Sequence, residues 1–317
     1  MKHFTSVNHI DDLDELLLLA KQIKSDPYAH KALGTNKTIG LLFFNPSLRT
    51  RLSTQKAAAN LGMNCITLNL NTESWSLEFE DGAVMDGAKS EHIKEAAQVV
   101  AQYCDIIAIR SFPTLTDKEK DEAEYVINAF IKAVSIPVIS LEGSSEHPLQ
   151  AVADILTIQE YKTLQKPKVV LTWAPHPKAL PHAVPNSFVK MMQKANVDFV
   201  ITHPEGYELN PEITQNSTIV YNQDKAFENA DFIYAKNWSN YNDYGAITSQ
   251  DLSWMVTPEK MALTNQAKFM HCLPVRRNQI VSDAVLDGEN SIVIPQANNR
   301  TYATQAILTK ILQDEKS

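Results

Sequence analysis

The chain is poor in arginine, glycine and cysteine, and each shortage excludes something. Of its 29 basic residues only six are arginine (Arg49, Arg51, Arg110, Arg276, Arg277 and Arg300); the rest are lysine. Nine glycines are present, and none form Gly-x-Gly-x-x-Gly after an apolar run, so a Rossmann-type dinucleotide fingerprint is excluded. Three cysteines cannot build a disulfide framework. Cys65, Cys104 and Cys272 each sit in an apolar, strand-like run and read as buried free thiols in a reducing compartment. No apolar run approaches the ~20 residues needed to cross a bilayer. The opening "MKHFTSVNHIDDLDELLLLAKQ" carries acidic residues before its leucines, unlike a secretion signal. A formal net charge of −8 gives no support to a nucleic-acid or anionic-membrane partner. A cytoplasmic globular protein is expected, in which any bound anion is held by a local site against the overall field.

At 317 residues the chain exceeds one comfortable core, which predicts two domains. Strand-like runs recur at 38–44, 64–69, 104–109 and 137–141, and again at 168–173, 198–202, 231–235, 268–273 and 291–294. Helical patterns lie between them: a helix capped by Asp11 or Asp12 and running to about Lys24, then 52–61, 91–103, 121–134, 148–163, 185–195 and about 223–229. Alternation of this kind predicts an α/β fold of two domains, each a parallel sheet with helices on both faces. The domains are expected over 1–143 and 144–300. The amphipathic segment from Thr301 is expected to form a C-terminal helix (301–317) that packs back on the first domain.

Arginine's planar fork suits bidentate holding of phosphate or carboxylate, and the six arginines follow apolar runs rather than lying in charged helices. In "FFNPSLRTRLSTQ" a buried strand turns into a helix. A helix N-terminus offers unpaired N–H groups and the positive end of a dipole. Ser47 and Thr50 add hydroxyls and Arg49 a fork, together describing a phosphate cradle without a glycine-rich loop. In "EGSSEHPLQAVADIL", Pro148 suits a first helical turn and places His147 and Gln150 at the helix mouth, where they can polarise a carbonyl and hold an amide. In "HCLPVRR" the proline leaves backbone carbonyls unpaired after a strand, able to accept from a substrate amine. Cys272 reads as a structural or binding thiol, with a nucleophilic role the alternative.

Ser-x-Arg-Thr-Arg (Ser47 to Arg51), His-Pro-x-Gln (His147 to Gln150) and His-Cys-Leu-Pro (His271 to Pro274), in this order and spacing, closely resemble the carbamoyltransferases, of which aspartate and ornithine carbamoyltransferases are familiar members. The resemblance covers essentially the whole chain. It implies a homotrimer with active sites at subunit interfaces, carbamoyl phosphate as one substrate, and no cofactor or metal. Ser47, Leu48, Arg49 and Thr50 would hold the phosphate, with Trp75 reaching in from a neighbouring subunit. Thr50, Arg110, His147 and Arg300 would face the carbamoyl oxygen, and Gln150 the carbamoyl nitrogen. Arg51 follows the motif but reads as structural.

Where ornithine enzymes carry Asp-x-x-x-Ser-Met-Gly, this chain has "DFIYAKNWSNY". A cation at Lys236 repels an α-ammonium and suits a blocked α-amine and a carboxylate. "WAPHPKALPHAVPNS", "ESWSLEF", "RSFP" and "LEG" resemble the branch that uses Nα-acylated ornithine, whose second domain is knotted. By that resemblance Glu142, His176, Lys236, Arg276 and the backbone at Cys272 and Leu273 would bind the acyl-ornithine, with Trp75 of a neighbouring subunit reaching it as well. Ser90 matches the position that reads the acyl group: glutamate there would repel a succinyl carboxylate, whereas serine lacks that repulsive element. The resemblance therefore implies an arginine-biosynthetic transferase acting on N-succinyl-L-ornithine, with N-acetyl-L-ornithine or a non-catalytic binding paralogue as the alternatives.

Overall fold

The computed structural model describes residues 1–314. The chain divides into two compact units, Met1–Leu149 with the chain from Arg300 onward, and Gln150–Asn299. Both crossings fall inside helices, Pro148–Tyr161 and Val293–Asp314.

The first unit holds β1 (Thr38–Phe43), β2 (Asn64–Asn69), a small pair β3 (Leu77–Glu78) and β4 (Glu91–His92), then β5 (Ile106–Arg110) and β6 (Val138–Glu142). The main sheet runs β2-β1-β5-β6, with every pairing parallel. β1, β5 and β6 are almost entirely buried runs of β-branched and leucine residues, as strands covered on both faces should be. From β1 the chain first builds outward to β2, then returns to lay β5 on the other side of β1. The carboxyl ends of β1 and β5 therefore flank a topological switch point, where open parallel sheets bind ligands.

The second unit repeats the logic with β7 (Lys168–Trp173), β8 (Asp198–Thr202), β9 (Thr218–Ile219), β10 (Phe232–Lys236) and β11 (Lys268–Met270). Its order is β11-β10-β7-β8-β9, again parallel throughout, and its switch point lies between β7 and β10. Trp173 and Lys236, the last residues of those strands, are register partners. Val170, Ile233, Phe269, Val256 and Val281 form part of one core cluster in this unit. Leu42, Ile107, Ile109, Phe130 and Val138 do so in the first.

The amino-terminal helix is Leu13–Ser25, capped by the Asp12 side chain accepting from Glu15 N–H. Three expectations are corrected. Residues 291–294 do not form a strand: Ser291 makes a single bridge to Phe269, and a helix then begins at Val293. Pro295 has no N–H to give a ladder but fits a first helical turn, where none is needed. The closing helix consequently starts eight residues ahead of Thr301 and is described to Asp314; residues 315–317 of the expected segment lie outside the described residues. The segment 121–134 is not one helix. It splits into Lys118–Glu122 and Tyr125–Ala133, with Glu124 in the left-handed region at φ 48°. The run 268–273 is strand only to Met270, after which Leu273 takes φ 56° and the Leu273–Pro274 peptide is cis.

Gly40 lies in the middle of β1, where a side chain would normally strengthen a strand. A β-carbon there would stand 2.7 Å from the Cys104 sulfur. Gly40→Ala should overpack this layer and lower the unfolding free energy by about 1–3 kcal/mol. Cys104→Ala should restore most of that loss when combined with it, so a double-mutant cycle by urea denaturation checks the contact.

Candidate active site

At the first unit's switch point, Phe43 ends β1 and is the register partner of Arg110, which ends β5. The loop that follows β1 leads into the helix Arg49–Asn60. Leu48 occupies the cap position without a side-chain bond, while Ser47 Oγ accepts from Thr50 N–H at 3.3 Å. Ser47 and Arg49 are half-buried, Leu48 is exposed and Thr50 is buried. Arg49 is thus the first helical residue, three earlier than the sequence pattern places the helix start, with the N-terminal amides of a 12-residue helix beside it.

Three side chains from distant parts of this unit converge. Arg300 Nη2 donates to Thr50 Oγ1 at 2.7 Å and stands 3.4 Å from His147 Nε2. All three residues are buried. Arg300 reaches this point from the eighth position of the helix Val293–Asp314, not from a strand end. Donors gathered on one point in a buried setting are suited to an oxygen on which negative charge grows.

Arg110 is buried at the same strand end, but its fork is engaged. Nε and Nη2 donate to Glu142 Oε2 at 3.1 and 3.0 Å, and Nη1 donates to the carbonyl of Asn45 at 3.1 Å and to that of Pro46. Its guanidinium lies 4.2 Å from the Phe112 ring centroid, and Asn45 Oδ1 accepts from Phe112 N–H at 2.7 Å. The loop after β1 is therefore pinned to the end of β5 by one arginine and one asparagine. Glu142 also stands 3.7 Å from His147 Nε2.

Trp75 and Ser90 lie together on the exposed excursion that β3 and β4 close. Ser90 N–H donates to the Ser76 carbonyl at 3.2 Å, and Trp75 Nε1 donates to Glu91 Oε2 at 2.7 Å, leaving the indole 57% exposed. The remaining arginines have other surroundings. Arg277 forms exposed pairs with Asp283 and Asp287 at 2.8 and 2.7 Å. The carboxyl of Glu73 is held below the usual range first by its bonds at Asn69 and further by the charge of Arg51, which places Arg51 on the β2 side.

The second unit gathers basic groups at its own switch point. Lys236 ends β10 and is 8% exposed; its ammonium makes no ion pair or hydrogen bond among the described residues. His176, just past β7, accepts at Nε2 from Arg276 Nε at 3.0 Å, which leaves its proton on Nδ1, 2.8 Å from the Lys178 carbonyl it donates to. Burial, followed by the charges of Lys236, Arg276 and Lys178, holds the His176 pKa below its ordinary value. A neutral imidazole here orients Arg276 without adding a third charge. Leu273 N–H donates to His271 Nδ1 at 2.8 Å, and Cys272 is a partly exposed thiol beside the buried Tyr234. Of the three thiols expected to be buried only Cys104 is: Cys65 is exposed on the edge strand β2, and Cys272 lies past the end of β11.

Gln150 is buried, and its Nε2 donates to Asp154 Oδ1 at 2.7 Å, leaving Oε1 without a hydrogen-bond partner among the described residues. The acidic partner takes the amide's donor end and leaves the acceptor end available, which is the polarity required to hold an N–H donor. Gln296 Nε2 donates to the same Asp154 oxygen at 2.7 Å, and Gln296 Oε1 accepts from His271 N–H at 3.0 Å. Sequence reasoning did not single out Asp154, Asn45 or Gln296. Of these only Asp154 left a usable signal, a Gln–Asp pair at i,i+4 on a predicted helix.

The chain is a carbamoyltransferase. It belongs to the aspartate/ornithine carbamoyltransferase family, with residues 2–160 matching the carbamoyl-P binding domain and 182–311 the Asp/Orn binding domain. It is 53% identical over 316 residues, 99% of each chain, to N-succinylornithine carbamoyltransferase of Bacteroides fragilis (strain 638R). It is 37% identical, over 98% of each chain, to N-acetylornithine carbamoyltransferase of Xylella fastidiosa (strain Temecula1 / ATCC 700964). Among solved structures it matches a glutamate-to-serine variant of N-acetyl-L-ornithine transcarbamylase, complexed with carbamyl phosphate and N-succinyl-L-norvaline. The TM-score is 0.92 at 36% identity, covering 98% of this chain and 100% of that one.

The lowered His176 pKa has a pH consequence. A histidine held neutral by the fold contributes stability that is present above its unfolded pKa, about 6.5, and is lost as pH falls toward and through the lower folded value. Between about pH 7 and 5 the wild type should therefore lose more stability than His176→Gln, which cannot titrate. Urea midpoints for both proteins across that range provide the measurement.

Proposed function

We propose that the protein transfers the carbamoyl group of carbamoyl phosphate to the side-chain amine of N-succinyl-L-ornithine, giving N-succinyl-L-citrulline and phosphate, as a step in arginine synthesis. The observation that carries the acceptor assignment is Lys236, a largely buried residue at the end of β10 whose ammonium has no ion pair or hydrogen bond among the described residues. A cation held at a strand end without a counter-ion is a ready partner for a substrate carboxylate. The same ammonium, with Arg276 nearby, repels the α-ammonium of free ornithine. An acylated α-amine removes that conflict.

Ser47, Leu48, Arg49 and Thr50 hold the phosphate at the helix N-terminus, with Trp75 closing over it from a neighbouring copy in a homotrimer. The 57% exposure of the Trp75 indole supports that placement. Thr50, His147 and Arg300 donate to the carbamoyl oxygen as the amine attacks and charge develops there, each such donor being worth roughly 3 kcal/mol. Arg110 adds its charge at the same strand end and fixes the loop. Gln150 Oε1 accepts from the carbamoyl nitrogen. The departing phosphate can take the amine's proton, so the reading requires neither metal nor dedicated base. His176, Lys236 and Arg276, with Glu142 and the backbone at Cys272 and Leu273, hold the acyl-ornithine.

The acyl group is read at Ser90, which is small and uncharged. The structural relative in which serine replaces a glutamate is complexed with a succinylated ligand, and this supports the succinyl assignment. The wild type should prefer N-succinyl-L-ornithine over N-acetyl-L-ornithine and should ignore ornithine. Ser90→Glu sets a carboxylate against the succinyl terminus, and a like-charge contact costs several kcal/mol. Its kcat/KM for the succinyl substrate should fall about a hundredfold or more while the acetyl substrate is spared. A colorimetric ureido-product assay on the three acceptors decides this; an acetyl preference in the wild type would move the assignment to N-acetyl-L-ornithine.

Shared sites are checked separately. Arg49→Ala and Trp75→Ala should each be inactive alone and regain activity when mixed under subunit exchange, because some hybrid sites then draw both intact residues from different copies. A lack of complementation after verified exchange would place the whole site within one chain.

A further inference from the structure

His147, at the mouth of the helix Pro148–Tyr161, is delivered by a four-residue loop that follows β6, Gly143 to Glu146. Gly143 N–H donates to the Glu146 carbonyl at 2.7 Å, closing the loop on itself. Inside it sits the carboxylate of Glu124. Oε2 accepts from Ser144 N–H at 2.9 Å, and Oε1 accepts from Ser145 N–H at 2.7 Å, Glu146 N–H at 2.9 Å and Ser145 Oγ at 2.9 Å. Three consecutive backbone N–H groups turned on one anion form a nest, and here the protein fills the nest with its own side chain. The outer side of the loop is held as well: Glu146 accepts from Ser6 Oγ at 2.7 Å and Val7 N–H at 3.1 Å.

The local sequence is distorted to place this carboxylate. Glu124 takes φ 48°, ψ 47°, a left-handed conformation that a non-glycine residue adopts only when its surroundings fix it, and it divides what would otherwise be one helix. At Gly143 any β-carbon would run into the Glu124 carboxyl group, so the loop can close over it only with glycine there.

We infer that Glu124 is a positioning residue for His147, its carboxylate fixing the path of the 143–146 loop and thereby the imidazole beside Arg300 and Glu142. The role rests on the carbamoyl-transfer reading for its effect on rate, but its effect on His147 itself does not.

Glu124→Gln replaces one acceptor oxygen with an amide NH2 facing N–H donors while keeping size and shape. In the full-length protein its kcat should fall by about tenfold to a hundredfold, the scale set by small misplacements of catalytic groups. KM for the acyl-ornithine should stay within about twofold, because His176, Lys236 and Arg276 are untouched, and this split separates mispositioning from general loosening. The imidazole C–H resonance of His147 in histidine-labelled protein, assigned by its loss in His147→Asn, should shift. Ser145→Ala, which deletes one hydroxyl donor and no charge, should shift the same resonance less, and it decides the matter if the glutamine variant does not fold. An unmoved His147 resonance with kcat within about twofold of wild type overturns the inference. If the wild type makes no ureido product from any acyl-ornithine, the transfer reading fails, and the His147 resonance still reports on Glu124.

Discussion

The 2.7 Å hydrogen bond from Arg300 to Thr50 joins residues 250 positions apart, and the rest of the chain is arranged so that it can form. Thr50 must be presented by the helix that follows β1, and Arg300 by a helix that starts in the sequence of the second unit and continues in the first. His147 stands at the third corner, at the opening of the other helix in which the chain crosses from one unit to the other. A bond of this kind is worth about a kilocalorie or so in itself. Its significance is that it records a convergence specified only by the complete fold.

Around that point the first unit uses charge to fix backbone. Arg110 and Glu142 form a buried pair, and removing either partner would leave a stranded charge at a cost of roughly 3–5 kcal/mol. The same arginine holds the carbonyls of Asn45 and Pro46, so the loop after β1 is tied to a neighbouring strand end rather than to its own side chains. On the far side Glu124 does for the His147 loop what Arg110 does for this one, with the signs of charge and dipole exchanged.

Much of this was legible in the sequence because parallel strands buried on both faces are written as continuous apolar runs. β7 and β8 match the expected limits residue for residue, and the Asp12 cap is where the pattern puts it. The misreadings share a cause. "SIVI" has the composition of a strand, and only the proline after it and the position of Phe269 make it a bridge and a helix start. "DEAEYVINAFIKAV" has an uninterrupted helical period, and its break at Glu124 is enforced by a loop some twenty residues downstream. The sequence places Arg110 at a strand end, but its engagement with Glu142 depends on strand order, which periodicity does not encode. The candidate residues on the three motifs were found from local chemistry. Asn45 and Gln296 act on other residues, and that kind of work leaves no local pattern, while Asp154 shows in the sequence only as the i,i+4 partner of Gln150.

Asp154 shows what such a residue can settle. A side-chain amide has two ends that differ in function and hardly at all in shape, so each buried glutamine poses a two-way choice that packing cannot make. Two glutamines, Gln150 and Gln296, offer their nitrogens to one oxygen of Asp154. One negative charge thereby answers both choices at once: Gln296 turns its oxygen to the His271 amide at the head of the 271–274 segment, and Gln150 keeps its buried oxygen without a bond among the described residues. The two segments are thus set to the same polarity by a shared reference. An uncharged isostere such as asparagine would fit the space equally well and carry no such instruction, since it can present either end to either glutamine. What evolution must preserve at this position is a sign rather than a shape.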